Sequence, residues 1–263
     1  MTVLTWDAVG NRFYEYGLDR GVLYVPGGAA VPWNGLKSVQ EKSEGGALTS
    51  HFYDGQKYAD LVSGERYRAT VSAYTYPDEF DQYLGIAQVF ESIHATRQPR
   101  GTFGLSYRTR VANDLSSNKG HKIHLIYNAT VLPGQATYTS LSASPEPVDF
   151  SWDIVAVPVA ITGFKPSAHI IIDQTGSSPE EITAINDALY GTSSTAAYLP
   201  TPDELTDIIA EFFGIIIDNL DGTWTAVGPD WYIDDLDATT FQINDANATY
   251  SDINTYTIKS AGE

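Results

Sequence analysis

The side chains with the widest chemical reach in this sequence are its five histidines, His51, His94, His121, His124 and His169, which can act as acid, base or metal ligand near neutral pH. Only His121 and His124 lie close together. Three positions apart on an alternating strand means opposite faces, so that pair cannot share an ion, and the sequence assigns no metal ligand. The absence of cysteine excludes a thiolate nucleophile, a Cys-based metal site and a disulfide framework. Carboxylates are plentiful, but none is spaced for a reaction. Asp78 and Glu79 adjoin, whereas a glycosidase pair is defined by a gap in space. Asp218-Asn219-Leu220-Asp221-Gly222 and Asp234-Asp235-Leu236-Asp237 lack the alternating ligands and distal Glu of a calcium loop. Ser116-Ser117-Asn118-Lys119 spells S-x-x-K, yet sits among turn formers with no companion motif. No glycine-rich phosphate loop occurs. The chain therefore reads as a protein without catalytic residues or cofactor, not an enzyme.

Charge narrows the partners. Lys and Arg total 15 against 33 Asp and Glu, a net charge of -18, which disfavours tight binding to nucleic acid or to an anionic membrane. Residues 1–10 have no basic segment followed by an apolar one, so no secretory signal is read. The sequons Asn128-Ala129-Thr130 and Asn247-Ala248-Thr249 then count in form only. The longest apolar run, Ile154 to Ile161, is broken by Pro158 and is well short of the ~18 residues of a membrane span. A soluble product made in a cytoplasm is expected. The 17 Tyr, 10 Phe and 5 Trp suit both sheet cores and subunit contacts.

The elements that must carry these side chains are strands. From Gly104 to Leu132, Leu105, Tyr107, Thr109 and Val111 alternate with Ser106, Arg108 and Arg110; then Ile123, Leu125, Tyr127, Ala129 and Val131 alternate with Lys122, His124, Asn128 and Thr130. Period two predicts half-buried strands, and the turn formers of Asn113 to Gly120 join them into a long hairpin with one apolar and one polar face. Arg66 to Tyr76 alternates Tyr67, Ala69, Val71 and Ala73 with Arg66, Arg68, Thr70 and Ser72. Val148 to Ala156 alternates Val148, Phe150, Trp152 and Ile154 with Asp149, Ser151 and Asp153. Asp149 and Asp153 are candidate partners for Arg66, Arg68, Arg108 or Arg110 across a sheet or a subunit boundary, each exposed pair contributing about 0–1 kcal/mol. Further strands are expected at Gly21–Val25, Ala30–Trp33, Ala136–Leu141 and Ala168–Asp173. A second hairpin is expected from Leu36–Glu41 and Leu48–Tyr53 around Ser43-Glu44-Gly45-Gly46, and residues 1–20 read as an irregular arm.

Between Pro77 and Gly101 the pattern lapses for about 25 residues, longer than an idle connection in a compact domain. Either it packs on its own domain as an Ω-like loop or it reaches a neighbouring subunit. Farther on, Ser178-Pro179-Glu180-Glu181 and Thr201-Pro202-Asp203-Glu204 each place a hydroxyl at an N-cap, proline at the first helical position and glutamate three after the cap, with Gly191 and Gly214 as stops. Ile182, Ile185 and Leu189 give the first helix an apolar stripe for a sheet face. From Ile215 onward the chain is acidic, with Asp218, Asp221, Asp230, Asp234, Asp235, Asp237, Asp245, Asp252 and Glu263 against a single lysine. Turn dipeptides separate short β-like runs at Thr223–Val227, Thr239–Ile243 and Thr255–Lys259.

F-G-L-S-Y-R-T at Phe103 to Thr109, N-D at Asn113 and Asp114, and H-K-I-H-L-I-Y-N-A at His121 to Ala129 resemble the major tail tube proteins of long-tailed, siphovirus-type phages of actinobacterial hosts. W-D-A-V-G-N-R-F-Y-E at Trp6 to Glu15, V-P-W-N-G-L at Val31 to Leu36, Y-P-D-E-F at Tyr76 to Phe80, F-S-W-D at Phe150 to Asp153 and K-P-S-A-H-I at Lys165 to Ile170 extend the resemblance in order to about Leu205. It implies a mainly β protein, a β-sandwich or rolled barrel with a packed α-helix over residues 1–200; the residues themselves add a second, linking helix over 201–214 and a small acidic β module over 215–263, which departs from a minimal tube subunit. It also implies a structural virion protein of the phage tail, made in the host cytoplasm. Hexameric rings would stack into a hollow tube, each subunit lending strands to one inner barrel. DNA would pass through the lumen without tight binding, and the partners would be further copies and other tail proteins such as the tape measure and tail terminator. The same resemblance favours the second reading of residues 77–101. Subunit or ring-stacking contacts are accordingly expected at Trp6, Phe13, Tyr14, Pro77, Asp78, Glu79, Phe80, Tyr83, Phe90, Arg97 and Arg100, and loss of 77–101 is expected to leave the domain folded.

From the residues alone two other classes stay open. An extracellular carbohydrate-binding β-sandwich module would use the aromatics as a platform, and a glycoside hydrolase would use two of the scattered carboxylates.

Overall fold

A computed structural model describes residues 6–46, 48–62, 66–135, 137–138, 140 and 147–213, and beyond these the five strands Ile215–Asp218, Trp224–Val227, Ile233–Asp237, Thr240–Ile243 and Thr257–Ile258. Fourteen strands precede these five: β1 Phe13–Tyr24, β2 Ala30–Pro32, β3 Leu36–Glu44, β4 Leu48–Tyr53, β5 Gln56–Val62, β6 Arg66–Ala73, β7 Ala87–Phe90, β8 Ile93–Ala95, β9 Phe103–Asn113, β10 Gly120–Val131, β11 Phe150–Ala156, β12 Val159–Ile161, β13 Phe164–Ser167 and β14 His169–Asp173. The helices are a short α1 Asp81–Leu84, α2 Pro179–Tyr190 and α3 Pro202–Phe213. The protein is mainly β, and among the described residues its sheets are antiparallel but for one short parallel pair near the C-terminus. By contacts the chain divides into two units, Met1–Gly176 with Ala196–Leu199, and Ser177–Thr195 with Pro200–Glu263.

The first unit is built on an eight-stranded sheet in the order β2-β1-β9-β10-β11-β6-β3, with β14 also paired to β10. β10 serves two partners along one edge: Lys122 to Ile126 pair with β14, and Ala129 to Val131 with β11. The change falls at a bulge, where Asn128 has φ 46° and the register to β9 shifts. An extra residue flips the faces, so Ile126, Ala129 and Val131 share the core cluster. The expected strict alternation from Ile123 to Val131 therefore fails at this point. Nor is the β9–β10 hairpin polar on its reverse side, since Ser106, Ile123 and Leu125 are fully buried.

The sheet rolls on itself. β3 is four places from β9 in the strand order, which in a flat sheet would hold them almost 20 Å apart at about 4.8 Å per strand, yet the Tyr107 hydroxyl on β9 donates to Glu41 Oε1 on β3 at 2.5 Å. Inside the roll lie Leu23, Ala69, Val71, Leu105, Ile126 and Ile154 around a set of rings centred on Phe80. That ring meets Trp33 at 4.5 Å, Phe103 at 5.3 Å and Trp152 at 5.4 Å between centroids, the tilted and edge-on geometry aromatic pairs prefer.

Three expectations need correction here. Residues 13–20 are not an irregular arm but the first two-thirds of β1, hydrogen-bonded to β9 from Phe13↔Asn113 onward. Glu44 does not end a hairpin; it pairs with Arg66, and the turn comes later, at Asp54-Gly55, where φ is 48° and 73°, as a two-residue type I′ connection requires. The strand expected at Ala136–Leu141 lies partly outside the described residues, and Thr137, Tyr138 and Ser140 are not in a strand.

In the second unit both helix starts follow the sequence signal. Ser178 Oγ accepts from Glu181 N at 3.2 Å. Thr201 Oγ1 accepts from Glu204 N at 3.3 Å while Thr201 N donates to Glu204 Oε2 at 2.7 Å, a reciprocal capping box. Gly191 terminates α2 with φ 75°; Gly214 is outside the described residues. Ile215–Asp218 pairs with Trp224–Val227, and Ile233–Asp237 with Thr240–Ile243.

Candidate functional site

The residues expected at subunit contacts separate into outward and inward groups. Trp6 is 77% exposed, and Phe13 and Tyr14 are exposed at the start of β1. Asp78 and Glu79 lie on an exposed 3-10 turn, with Pro77 half-buried before it. Phe90 is exposed with Val89 and Ile93 on the small β7–β8 hairpin, and Arg97 is exposed with φ 62°. Phe80 and Tyr83, by contrast, are 1% and 2% exposed. They belong to the chain's own core and are not available to a contact at its surface. Arg100 also points inward: Nε donates to the Leu84 carbonyl at 3.2 Å and Nη1 to that of Val131 at 3.1 Å, stapling the segment to β10. Residues 77–101 thus have a base that is core and a tip that is exposed, so deleting them would take Phe80 and Tyr83 out of the core, against the expectation that the domain folds without them.

A second exposed apolar element was missed in the sequence. β4 and β5 pair only with each other among the described residues, in register from Leu48↔Val62 to Tyr53↔Gln56. At ~3.3 Å per residue each strand is about 20 Å long. Leu48, Phe52, Tyr53, Tyr58 and Leu61 are all exposed, Tyr58 by 81%. The signal that would have found this hairpin is Asp54-Gly55.

Of the expected charge pairs, one forms as foreseen. Arg68 Nη2 lies 2.9 Å from Asp153 Oδ2, and Thr70 Oγ1 donates to Asp153 Oδ1 at 2.6 Å. These hydrogen bonds, the threonine's first, hold the Asp153 carboxyl below its ordinary pKa. Asp149 instead takes Lys37 at 2.5 Å. Arg108 and Arg110 both converge on Asp19: Arg108 grips it through Nε at 2.6 Å and Nη2 at 2.9 Å, and Arg110 Nε adds 3.0 Å. The Arg108 hydrogen bond is the largest cause drawing the Asp19 pKa from 3.8 down to about 2. Arg66 is exposed, opposite Glu44 in the β3–β6 register.

Strand pairing also assembles a cluster that spacing along the chain does not show. His124 faces Tyr107 across β9–β10, their rings stacked at 4.6 Å and 4°. His169 on β14 pairs with Ile126, so it is diagonal to His124 on the same face, and His124 Nδ1 is 3.1 Å from His169 Nε2. Glu41 crosses the roll from β3, with Oε1 3.6 Å from His124 Nδ1 and 3.5 Å from His169 Nε2. The histidine side chains are 10% and 11% exposed, the glutamate 39%. Burial is the main cause holding both imidazoles below their ordinary pKa, so they are neutral near pH 7. Thr109 Oγ1 is 3.3 Å from His124 Nε2. An open pocket of about 380 Å³ reaches this cluster, bordered by Glu15, Leu18, Lys37, Thr109, Glu41 and His124. His121 is apart from it, as its strand position requires.

No protein-family model matches the chain, and no curated protein does. Among solved structures it is similar to a chain of the sheath–tube complex of an extracellular contractile injection system, PVC, in the extended state: 11% identity, TM-score 0.35, covering 59% of this chain and 88% of that one. It is also similar to a chain of the anti-feeding prophage (AFP) baseplate: 12% identity, TM-score 0.33, covering 64% and 97%. No helix among the described residues is long and apolar enough to cross a membrane.

Proposed function

We propose that this chain is the major tail tube subunit of a siphovirus-type phage, a structural virion protein that closes into hexameric rings and stacks them into a conduit for DNA. The observation that carries this reading is the β4–β5 hairpin. A lone two-stranded ribbon is at best marginally stable in water. This one projects Phe52, Tyr53 and Tyr58 into solvent and leaves its outer edges unpaired among the described residues. Exposed apolar surface with open strand edges marks a contact with another chain, and ring closure with identical copies removes such edges without runaway growth. Each Phe-sized side chain so withdrawn from water contributes about 1.5–3 kcal/mol. The ordered sequence resemblance from Trp6 to about Leu205 supports the same assignment. The net charge of -18 suits a wall past which phosphates slide. In this reading the tips of β4–β5 and β7–β8 and the exposed start of β1 make the contacts, and the acidic residues from 215 onward form a module outside the ring.

Electron microscopy and light scattering of the purified chain test this. Rings or tubes are expected, and are expected to disappear in a Phe52→Ser, Tyr53→Ser, Tyr58→Ser variant whose circular dichroism is unchanged. A wild-type chain that stays monomeric at every concentration, or a variant that assembles as the wild type does, would overturn the proposal.

A further inference from the structure

We propose that Glu41, His124 and His169 form a binding site for one divalent transition-metal ion of the zinc type. Zinc bonds of about 2.0–2.1 Å to nitrogen and oxygen, set at the tetrahedral angle, put ligand atoms about 3.3–3.4 Å apart. The three atoms here form a triangle with edges of 3.1, 3.5 and 3.6 Å, so one ion reaches all of them with displacements of tenths of an ångström. Two imidazoles and one carboxylate are a donor set for zinc, nickel, cobalt or copper rather than for magnesium or calcium. Three protein ligands leave a fourth coordination position for water, and the pocket bordering Glu41 and His124 gives solvent and ion a way in.

The surroundings fit the ligands. For His124 to bind through Nδ1 it must carry its proton on Nε2, and Thr109 Oγ1 is there to accept it at 3.3 Å. Tyr107 O–H donates to Glu41 Oε1 at 2.5 Å and its ring stacks on His124, fixing both ligands from a third strand. Such outer partners orient metal ligands. The ion would cross-link β3 to the paired strands β10 and β14, neither of which neighbours β3 in the sheet, and so brace the roll. This inference does not depend on the assembly reading.

The full chain, stripped with a chelator, is titrated with ZnCl2 by calorimetry, with MgCl2 and CaCl2 as controls. One zinc per chain is expected, no heat from the controls, and a melting temperature raised by about 5–10 °C at a hundredfold excess over Kd. Tyr107→Phe weakens binding about tenfold. His124→Ala and His169→Ala abolish it, and a His51→Ala, His94→Ala variant binds as the wild type does. Because alanine at a buried histidine can unfold the roll, Glu41→Gln, at the open side, is read with Co2+. The wild type gives the visible absorption of a tetrahedral centre and the variant does not. If the wild type takes up no zinc, if binding survives His169→Ala, or if it is lost with His51 and His94, the cluster is only a hydrogen-bonded histidine pair beside a glutamate.

Discussion

Asp19 gives the sharpest test of the β1–β9 pairing, because two arginines from β9 meet its carboxylate on β1 and the expected effect has a fixed sign with pH. Its pKa falls from 3.8 unfolded to about 2 folded. A carboxyl lowered on folding stabilises fully above its unfolded value, near pH 4, and loses that contribution as pH falls through its folded value, near 2. At about 1.4 kcal/mol per pH unit, the difference comes to about 2 kcal/mol. Little discount for solvent applies, since Asp19 and Arg108 side chains are only 24% and 13% exposed. Urea unfolding followed by the fluorescence of Trp33 in the core and Trp152 packed against it should therefore show wild type and Asp19→Asn far apart at pH 5. They should converge by about 2 kcal/mol between pH 4.5 and 2. A gap that stays constant over that range would mean the arginines do not hold this carboxylate in the folded chain.

Two further substitutions probe the segment after β6. Phe80→Ala removes the ring against which Trp33, Phe103 and Trp152 pack and should cost about 3–5 kcal/mol, read as a lower urea midpoint; a loss under 1 kcal/mol would return Phe80 to the surface. Gly85 has φ 75°, and a Cβ there would meet the Gln98 carbonyl oxygen at 2.7 Å, whereas at Gly163, φ 78°, it would meet nothing within 4 Å. Gly85→Ala should therefore destabilise by more than Gly163→Ala, which carries only the backbone strain of about 1–3 kcal/mol; equal losses would refute the close approach.

What could be read from the sequence was whatever depends on neighbours along the chain. The alternation in Arg66–Ala73 puts Ala69, Val71 and Ala73 in the core, and both proline-led capping signals open helices. What could not be read depends on register. One extra residue at Asn128 turns over the faces of β10, and nothing local announces it. His124 and His169 meet only because β14 pairs with β10 in the frame Ile126↔His169, and Glu41 joins them only because the sheet rolls. The Asp19 partners of Arg108 and Arg110 were missed for a related reason: β1 was read as an irregular arm, its alternation hidden by register shifts after Tyr16 and Asp19. Phe80 and Tyr83 were misplaced because aromatics in an unpatterned segment look alike in sequence whether they point in or out.

The β3–β6 pair and the β4–β5 hairpin that lies between them in the chain carry two different chemistries. The β3–β6 pair is held from both sides. Ala69 and Val71 are in the core, while Arg68 ties Asp153 on β11 and Glu44 on β3, and Lys42 Nζ donates to Thr70 Oγ1. Past Gly45-Gly46 those restraints end, yet the side chains turn more apolar, not less: Leu48, Phe52, Tyr53, Tyr58 and Leu61 are all exposed. A hairpin meant to stay in water would carry charges along its edges. Here the tip's one described ion pair is Lys57 with Asp60, an i,i+3 contact on a single strand, and the Ser50 hydroxyl on β4 donates across to Asp60 Oδ1 at 2.6 Å. In the proposed assembly the ordering of such a tip would come from a neighbouring copy, and the restrained β3–β6 pair would let that contact transmit force instead of bending away.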